Sequence, residues 1–263
     1  MAELFASDGY NYFINSRITE YMLSTDPIFW LLAIIGVIFT GISKSGLAGG
    51  AGVVAVPLLA LVISVPEAAA LMLPLLLIMD VRTISMYRHA IKSYRSIATI
   101  VIAGLLGVII AGSAMGSLPT ESLQWILAIL CISFALWNQL APMLAKLPGS
   151  AMIWGTLAGV TSTLLHAGGP PISIYFLAQQ LEKQQWLGQA AIFFAMINFS
   201  KLIPYTINGS WSAELLTTSA VLIPFALLGV SLGYRIQKLI SQDNFMLMCR
   251  GMLLISGVSL LMK

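Results

Sequence analysis

Charged residues are scarce in this chain: Lys, Arg, Asp and Glu together make up 9% of its 263 residues, against about 25% in soluble domains. Hydrophobic residues make up 59%, and long apolar runs recur along the sequence, for example at 28–43, 68–79 and 97–112. A soluble fold has too little polar surface to cover all of these runs. The scarcity of charge therefore excludes a soluble globular domain and predicts an all-α polytopic membrane protein.

Cysteine is also rare, and the motifs of common enzymes are missing. Cys131 and Cys249 lie in apolar segments without the spacing of a metal site or a disulfide, so no metal and no cofactor is expected. The sequence has no HExxH, no GxSxG, no pair of intramembrane aspartates and no GxxxxGKS nucleotide-binding loop. Ser162 and His166 lie four residues apart and would share a helix face, but no motif supports a Ser–His dyad. We therefore predict that the chain is not an enzyme.

Glycine, in contrast, is concentrated in two stretches: GISKSGLAGGAG at 41–52 and GTLAGVTSTLLHAGGPP at 155–171. Each interrupts an apolar region, and irregular backbone at membrane depth must be buried in protein or line a watery cavity. A helix that begins after each Gly-Gly pair would offer unpaired N–H groups and the positive end of its dipole. The two predicted helix starts therefore favour an anion bound near the middle of the membrane.

The second half of the chain repeats the first. At an offset of 119 residues, Gly36 aligns with Gly155, the glycine pair 49–50 with 168–169, and Arg82 with Lys201. Each repeat is predicted to cross the membrane an odd number of times, so the second repeat is inverted relative to the first. Whether 28–45 and 53–64 each cross, or form a re-entrant hairpin, stays open. The predicted apolar segments are 28–45, 53–64, 67–86, 96–116 and 121–140, followed by 151–166, 170–181, 185–205, 213–234 and 244–262.

Basic residues indicate how the chain is oriented. With the loop around 82–95 in the cytoplasm, eight basic residues fall on that side and only Arg17 and Lys263 on the other, which places both termini outside. Because the net charge of +3 is sorted into loops, it predicts no nucleic-acid partner. The predicted organisation is an extracytoplasmic N-terminal segment at 1–26, a first transmembrane repeat at 27–140, a cytoplasmic linker at 141–150 and a second repeat at 151–263.

Polar residues inside the apolar bulk are the candidates for a site, because ionisable groups at membrane depth are costly and usually functional. Asp80 and His166 are candidates for proton coupling. Structural alternatives are that Lys44 extends to an interface, that Asp80 and Arg82 pair or cap a helix end, and that His166 is a satisfied buried histidine. The predicted substrate-binding residues are Ser43, Lys44, Ser45, Gly49, Gly50, Thr161, Thr163, His166, Gly168, Gly169, Arg82 and Lys201.

The segments GISKSGLAGGAGVVAVPLL and GVTSTLLHAGGPPISIYFL resemble the paired signature segments of the sulfite exporter TauE/SafE family, and the resemblance extends over nearly the whole chain after residue 27. It implies a transporter of the bacterial inner membrane that exports small sulfur-containing anions, such as sulfite, sulfoacetate or other organosulfonates. An anion channel, or an importer of a related oxyanion such as thiosulfate, remains an alternative. The expected partners are the small anion and the lipid bilayer, and a homodimer stays open.

Overall fold

The computed structural model describes residues 26–46, 54–91, 95–115, 117–136, 151–179, 181–236, 239 and 242–262. In this part of the chain the regular structure is helical, with no strand. The predicted glycines 49 and 50, the linker 141–150 and the N-terminal segment apart from Asp26 lie outside the described residues. The α-helices are α1 (Pro27–Gly46), α2 (Ala55–Leu59), α3 (Val65–Tyr87), α4 (Arg95–Ala114), α5 (Thr120–Ala135), α6 (Ala151–Leu165), α7 (Gly169–Ala178), α8 (Lys183–Ile207), α9 (Ala213–Ile236) and α10 (Gln242–Leu261).

Five of these helices, namely α1, α3, α4, α8 and α9, are long and apolar enough to cross a membrane. Large apolar side chains are exposed on several helices, as Ile109, Phe199 and Ile255 show with about two-thirds of their surface accessible. Lipid can cover such side chains at no cost, because its acyl chains are as apolar as they are. The prediction of an all-α polytopic membrane protein is confirmed.

The start of α3 explains why the preceding segment is shorter than predicted. Ser64 and Glu67 form a capping box, in which the Glu67 N–H donates to Ser64 Oγ at 3.3 Å and the Ser64 N–H donates to the Glu67 carboxylate at 3.0 Å. Pro66 stands in the first turn, where its missing N–H is not needed. Within the predicted segment 53–64, only Ala55–Leu59 is helical, because the chain turns to enter this cap.

The packing of the helices follows one pattern in both halves of the chain. Helix α1 packs against α2 and α9, and α6 packs against α7 and α4; α3 packs against α9, as α8 packs against α4. The pairs α3–α8 and α5–α10 are also in contact. When α1–α5 are exchanged in order with α6–α10, each of these contacts maps onto another member of the set or, for α3–α8 and α5–α10, onto itself. This pattern supports an internal repeat, and the inversion of the second half stays a prediction.

Two of the crossings between the halves depend on glycine. A Cβ at Gly107 of α4 would lie 2.2 Å from the Thr156 carbonyl oxygen of α6, and one at Gly229 of α9 would lie 2.5 Å from the Ile38 carbonyl oxygen of α1. No side chain fits at such distances, so the backbones approach because glycine is present. These crossings hold α1 and α6, the helices that end shortly before the Gly-Gly pairs 49–50 and 168–169, against the opposite half.

Candidate functional site

A cavity in the interior collects polar side chains from both halves of the chain. The centre of a water molecule can move through about 30 Å³ of this cavity. A site for one water needs about 10–15 Å³ by the same measure. The cavity therefore has room for a small, compact ligand. Its lining comes from α1, α3, α6, α7 and α8 and the turn after α6, and consists of Thr40, Lys44, Leu76, Ser162, His166, Gly169, Phe194, Asn198 and Lys201.

Five buried side chains form a continuous polar chain along this cavity. Lys44 Nζ lies 2.7 Å from Asp80 Oδ1, and Asn198 Nδ2 donates to Asp80 Oδ2 at 2.6 Å. Lys201 Nζ donates to Asn198 Oδ1 at 2.9 Å and lies 3.2 Å from His166 Nδ1. Asp80 thus fixes both lysines, one directly and the other through Asn198. The chain joins α1, α3 and α8 to the end of α6, so the contact between the halves is polar at its centre.

The charges in this network do not balance. Lys44 and Lys201 are both buried, and within the described part of the chain Asp80 is the one buried carboxylate. A buried charge is costly unless an opposite charge compensates it. With both lysines charged, the network has one positive charge in excess. An anion in the cavity would supply the missing negative charge.

Hydrogen-bond donors face the same cavity. Thr40 is 1% exposed, and its Oγ1 has no hydrogen-bond partner among the described residues, although buried hydroxyls are nearly always paired. Lys201 uses one N–H toward Asn198 and one toward His166, and an ammonium group has three. Lys44 lies 5.7 Å from the ring centroid of Phe194, which with Leu76 forms the apolar part of the lining. The cavity therefore combines a positive charge with hydrogen-bond donors that can bind the oxygens of an oxyanion.

His166 stands where α6 ends. It has a positive φ of 53°, a left-handed conformation that is uncommon for residues other than glycine. Its Nε2 lies 2.9 Å from the Ala69 carbonyl oxygen and its Nδ1 lies 3.0 Å from the Ser162 carbonyl oxygen. The Tyr205 ring stacks on the imidazole at a centroid distance of 6.3 Å. These contacts hold the ring beside Lys201, and Gly169 then begins α7 at the cavity wall.

The structure brings together only some of the predicted site residues. Lys44, His166, Gly169 and Lys201 line the cavity, and Lys44 pairs with Asp80 instead of extending to an interface. The other described candidates lie outside the lining: Ser43 and Gly168 are buried, Ser45 donates to the carbonyl oxygens of Gly41 and Val230, Thr161 and Thr163 donate to carbonyl oxygens of their own helix, and Arg82 is exposed.

The position of Arg82 has a geometric reason. Tyr87 and Tyr205, 118 residues apart, make equivalent hydrogen bonds to the carbonyl oxygens of Ser45 and Thr163. Helices α3 and α8 therefore correspond at an offset of 118, one residue less than at the glycines. One residue rotates a helical position by about 100°. At the offset of 118, the counterpart of Lys201 is Thr83, which is buried, and Arg82 lies on another face.

Five residues that were not predicted as binding residues also line the cavity: Thr40, Leu76, Ser162, Phe194 and Asn198. Helical spacing was the available signal for two of them. Thr40 precedes Lys44 by four residues and Asn198 precedes Lys201 by three, so each shares a face with a lysine.

Comparison with known proteins gives one match. A family model described as "Sulfite exporter TauE/SafE" matches residues 32–260. No curated protein and no solved structure matches the chain.

Proposed function

The chain belongs to the sulfite exporter TauE/SafE family, whose model matches residues 32–260, and from this premise we propose that it exports a small sulfur-containing anion across the bacterial inner membrane. Sulfite and small organosulfonates are the proposed substrates. The observation that carries the proposal is a cavity lined by two buried lysines, Lys44 and Lys201, whose polar network contains one described carboxylate, that of Asp80.

In this proposal the anion completes the charge of the network. Lys201 donates its third N–H to an anion oxygen, and the Thr40 hydroxyl donates to another. Hydrogen bonds to a charged acceptor contribute roughly 1.5–3 kcal/mol each, so two of them and the excess charge favour an anion strongly. The start of α7 adds the backbone N–H of Gly169, whereas Pro170 and Pro171 have no N–H and the Ile172 N–H donates to the Gly168 carbonyl oxygen at 3.3 Å.

Size and polarity rank the substrates. The small cavity favours a compact head with few heavy atoms, because Leu76 and Phe194 offer no partner to a second polar group. Sulfite and a sulfonate with a short tail meet this condition. A negative potential inside the cell drives an anion outward by about 2.3 kcal/mol per charge per 100 mV, so export needs no separate energy source. The loop after α3 is proposed to lie in the cytoplasm and both termini outside.

A carrier and a channel differ in one measurable property. We expect the full-length chain in proteoliposomes to show counterflow, in which unlabelled sulfite inside accelerates the entry of labelled sulfite. Lys201→Met keeps the length of the side chain and removes its charge, and it should lower the initial counterflow rate about tenfold or more, because a charged hydrogen bond is lost. Arg88→Gln removes an exposed charge in the turn after α3 and should leave the rate unchanged.

Three results would contradict the proposal in different ways. Sulfite flux without acceleration by unlabelled sulfite would identify a channel. Equal rates for Lys201→Met and the unsubstituted chain would place the anion elsewhere. The absence of any flux with sulfite, thiosulfate and methanesulfonate would refute transport of sulfur anions altogether.

A further inference from the structure

The two ring nitrogens of His166 have three polar neighbours, more than a neutral imidazole can hydrogen-bond at one time. Nε2 faces the Ala69 carbonyl oxygen at 2.9 Å, and Nδ1 faces both the Ser162 carbonyl oxygen at 3.0 Å and Lys201 Nζ at 3.2 Å. A carbonyl oxygen only accepts a hydrogen bond and an ammonium group only donates one. Each ring–carbonyl contact is therefore a hydrogen bond only when that ring nitrogen carries an N–H, whereas the contact with Lys201 is one only when Nδ1 is bare. The Ser162 carbonyl oxygen also accepts from the His166 backbone N–H at 3.1 Å, with or without the ring.

The neutral and the protonated His166 ring each form hydrogen bonds with a different pair of these three neighbours. In the neutral ring, Nε2–H donates to Ala69 and Nδ1 accepts from Lys201, while the Ser162 carbonyl oxygen receives nothing from the ring. In the imidazolium, both N–H groups donate to carbonyl oxygens, and the Lys201 ammonium must turn away from Nδ1–H. The position to which Lys201 can turn is the cavity, whose wall it shares with His166.

The charges around His166 decide which state is favoured. The ring faces Lys201 from α8, Lys44 from α1 and Asp80 from α3, the last through Asn198; Tyr205 stacks on it from α8. In the empty cavity a proton on His166 would add a third positive charge to a network with one negative charge. An anion brings a further negative charge and draws the Lys201 ammonium toward itself, so it favours the imidazolium.

We infer that His166 takes up a proton when the anion binds, so that the carrier moves one proton together with each anion. The proton comes from water on the side that the anion enters, forms the Nδ1–H bond, and leaves to water on the other side with the anion. Because binding linkage is reciprocal, protonation of His166 equally strengthens anion binding. A dianion would then cross with one net negative charge, which the membrane potential still drives outward. A monoanion such as a sulfonate would cross without net charge, so its export would follow the gradients of the anion and the proton and not the membrane potential. This inference rests on the proposed function.

Calorimetry on the purified full-length chain tests the inference. Sulfite is titrated at one pH in two buffers of different ionisation enthalpy, which gives the number of protons taken up per bound anion. The unsubstituted chain should take up about one proton more than His166→Gln or His166→Asn. Sulfite's own titration contributes to each measurement; the difference between variants isolates His166 when the bound sulfite keeps the same charge.

The two variants and a control cover the structural consequences of the substitution. Gln can still donate toward the Ala69 carbonyl oxygen, and Asn suits the left-handed backbone of residue 166, so a fold defect in one leaves the other for the measurement. His89, the second histidine of the chain, is exposed in the turn after α3. His89→Gln should take up as many protons as the unsubstituted chain.

A second measurement uses the unsubstituted chain and methanesulfonate, whose charge does not change near neutral pH. Uptake of about one proton supports the inference, and binding without uptake overturns it. Equal proton numbers for sulfite in the unsubstituted chain and both His166 variants overturn it as well, while the proposed function stands. If neither anion binds at all, the proposed function fails, and the inference fails with it.

Discussion

At the scale of single residues, removal of the Thr40 hydroxyl can distinguish a role in binding from a role in stability. Oγ1 is buried and has no hydrogen-bond partner among the described residues, so it contributes little to the stability of the empty protein. In the proposed function, its place in the cavity lining gives it a partner when an oxyanion binds. Stability and affinity should therefore respond differently to its removal.

Thr40→Val replaces the hydroxyl by a methyl group of similar size. We expect the midpoint of thermal unfolding in detergent to stay the same or rise, because an unsatisfied polar group is lost. The dissociation constant for sulfite should rise about tenfold or more, since a hydrogen bond to a charged acceptor is worth roughly 1.5–3 kcal/mol. Thr83→Val is the matched control: Thr83 is equally buried but donates to the Met79 carbonyl oxygen at 2.7 Å, so it should lose stability and keep its affinity. Unchanged affinity in Thr40→Val would remove Thr40 from the site.

At the scale of helices, two tyrosines occupy equivalent positions in the two halves. Tyr87 near the end of α3 donates its hydroxyl to the Ser45 carbonyl oxygen, and Tyr205 near the end of α8 donates to the Thr163 carbonyl oxygen at 2.8 Å. Both bonds join residues 42 apart in sequence. Each therefore holds the last turn of a helix that ends shortly before a Gly-Gly pair, where carbonyl groups lack partners within the helix.

The hydroxyl of each tyrosine is removed by Tyr87→Phe and Tyr205→Phe. The carbonyl oxygen to which it donates then loses that hydrogen bond. Each substitution should lower the free energy of unfolding by about 1–3 kcal/mol. Amide hydrogen exchange should rise locally, at the end of α1 for Tyr87→Phe and at the end of α6 for Tyr205→Phe. Tyr175→Phe serves as a control in α7, where the ring packs on Phe176. Exchange that rises equally in both helix ends for either variant would show that the two bonds are not local.

At the scale of the whole molecule, the sequence determined the elements better than the site. The predicted apolar runs match the long helices within a few residues, because the length of an apolar run is a local property of the sequence. Lys44 and Lys201 were both predicted for the site, but the pairing of Lys44 with Asp80 depends on how α1 packs beside α3, which no local pattern contains. Asn198 was missed for the same reason. Its role in the network depends on its hydrogen bond to Asp80, which lies 118 residues away in the sequence.

The inverted repeat makes a prediction about the two membrane faces. Helices α3 and α8 correspond to each other, so inversion places their ends on opposite sides of the membrane. His89, in the turn after α3, and Asn208, directly after α8, are both exposed. The excess of basic residues predicts that the first lies in the cytoplasm, and the predicted inversion then puts the second outside.

Single cysteines at these two positions, His89→Cys and Asn208→Cys, test this arrangement in a chain whose own Cys131 and Cys249 are replaced by alanine. A membrane-impermeant maleimide added to intact spheroplasts should label Asn208→Cys at once, because its thiol faces the reagent. It should label His89→Cys only after the membrane is permeabilised. The cysteine-free chain, treated in parallel, controls for background labelling, and sulfite counterflow confirms that each variant is folded. Labelling of both positions from the same side would show that the halves are parallel, and labelling of His89→Cys alone in intact cells would reverse the orientation while keeping the inversion.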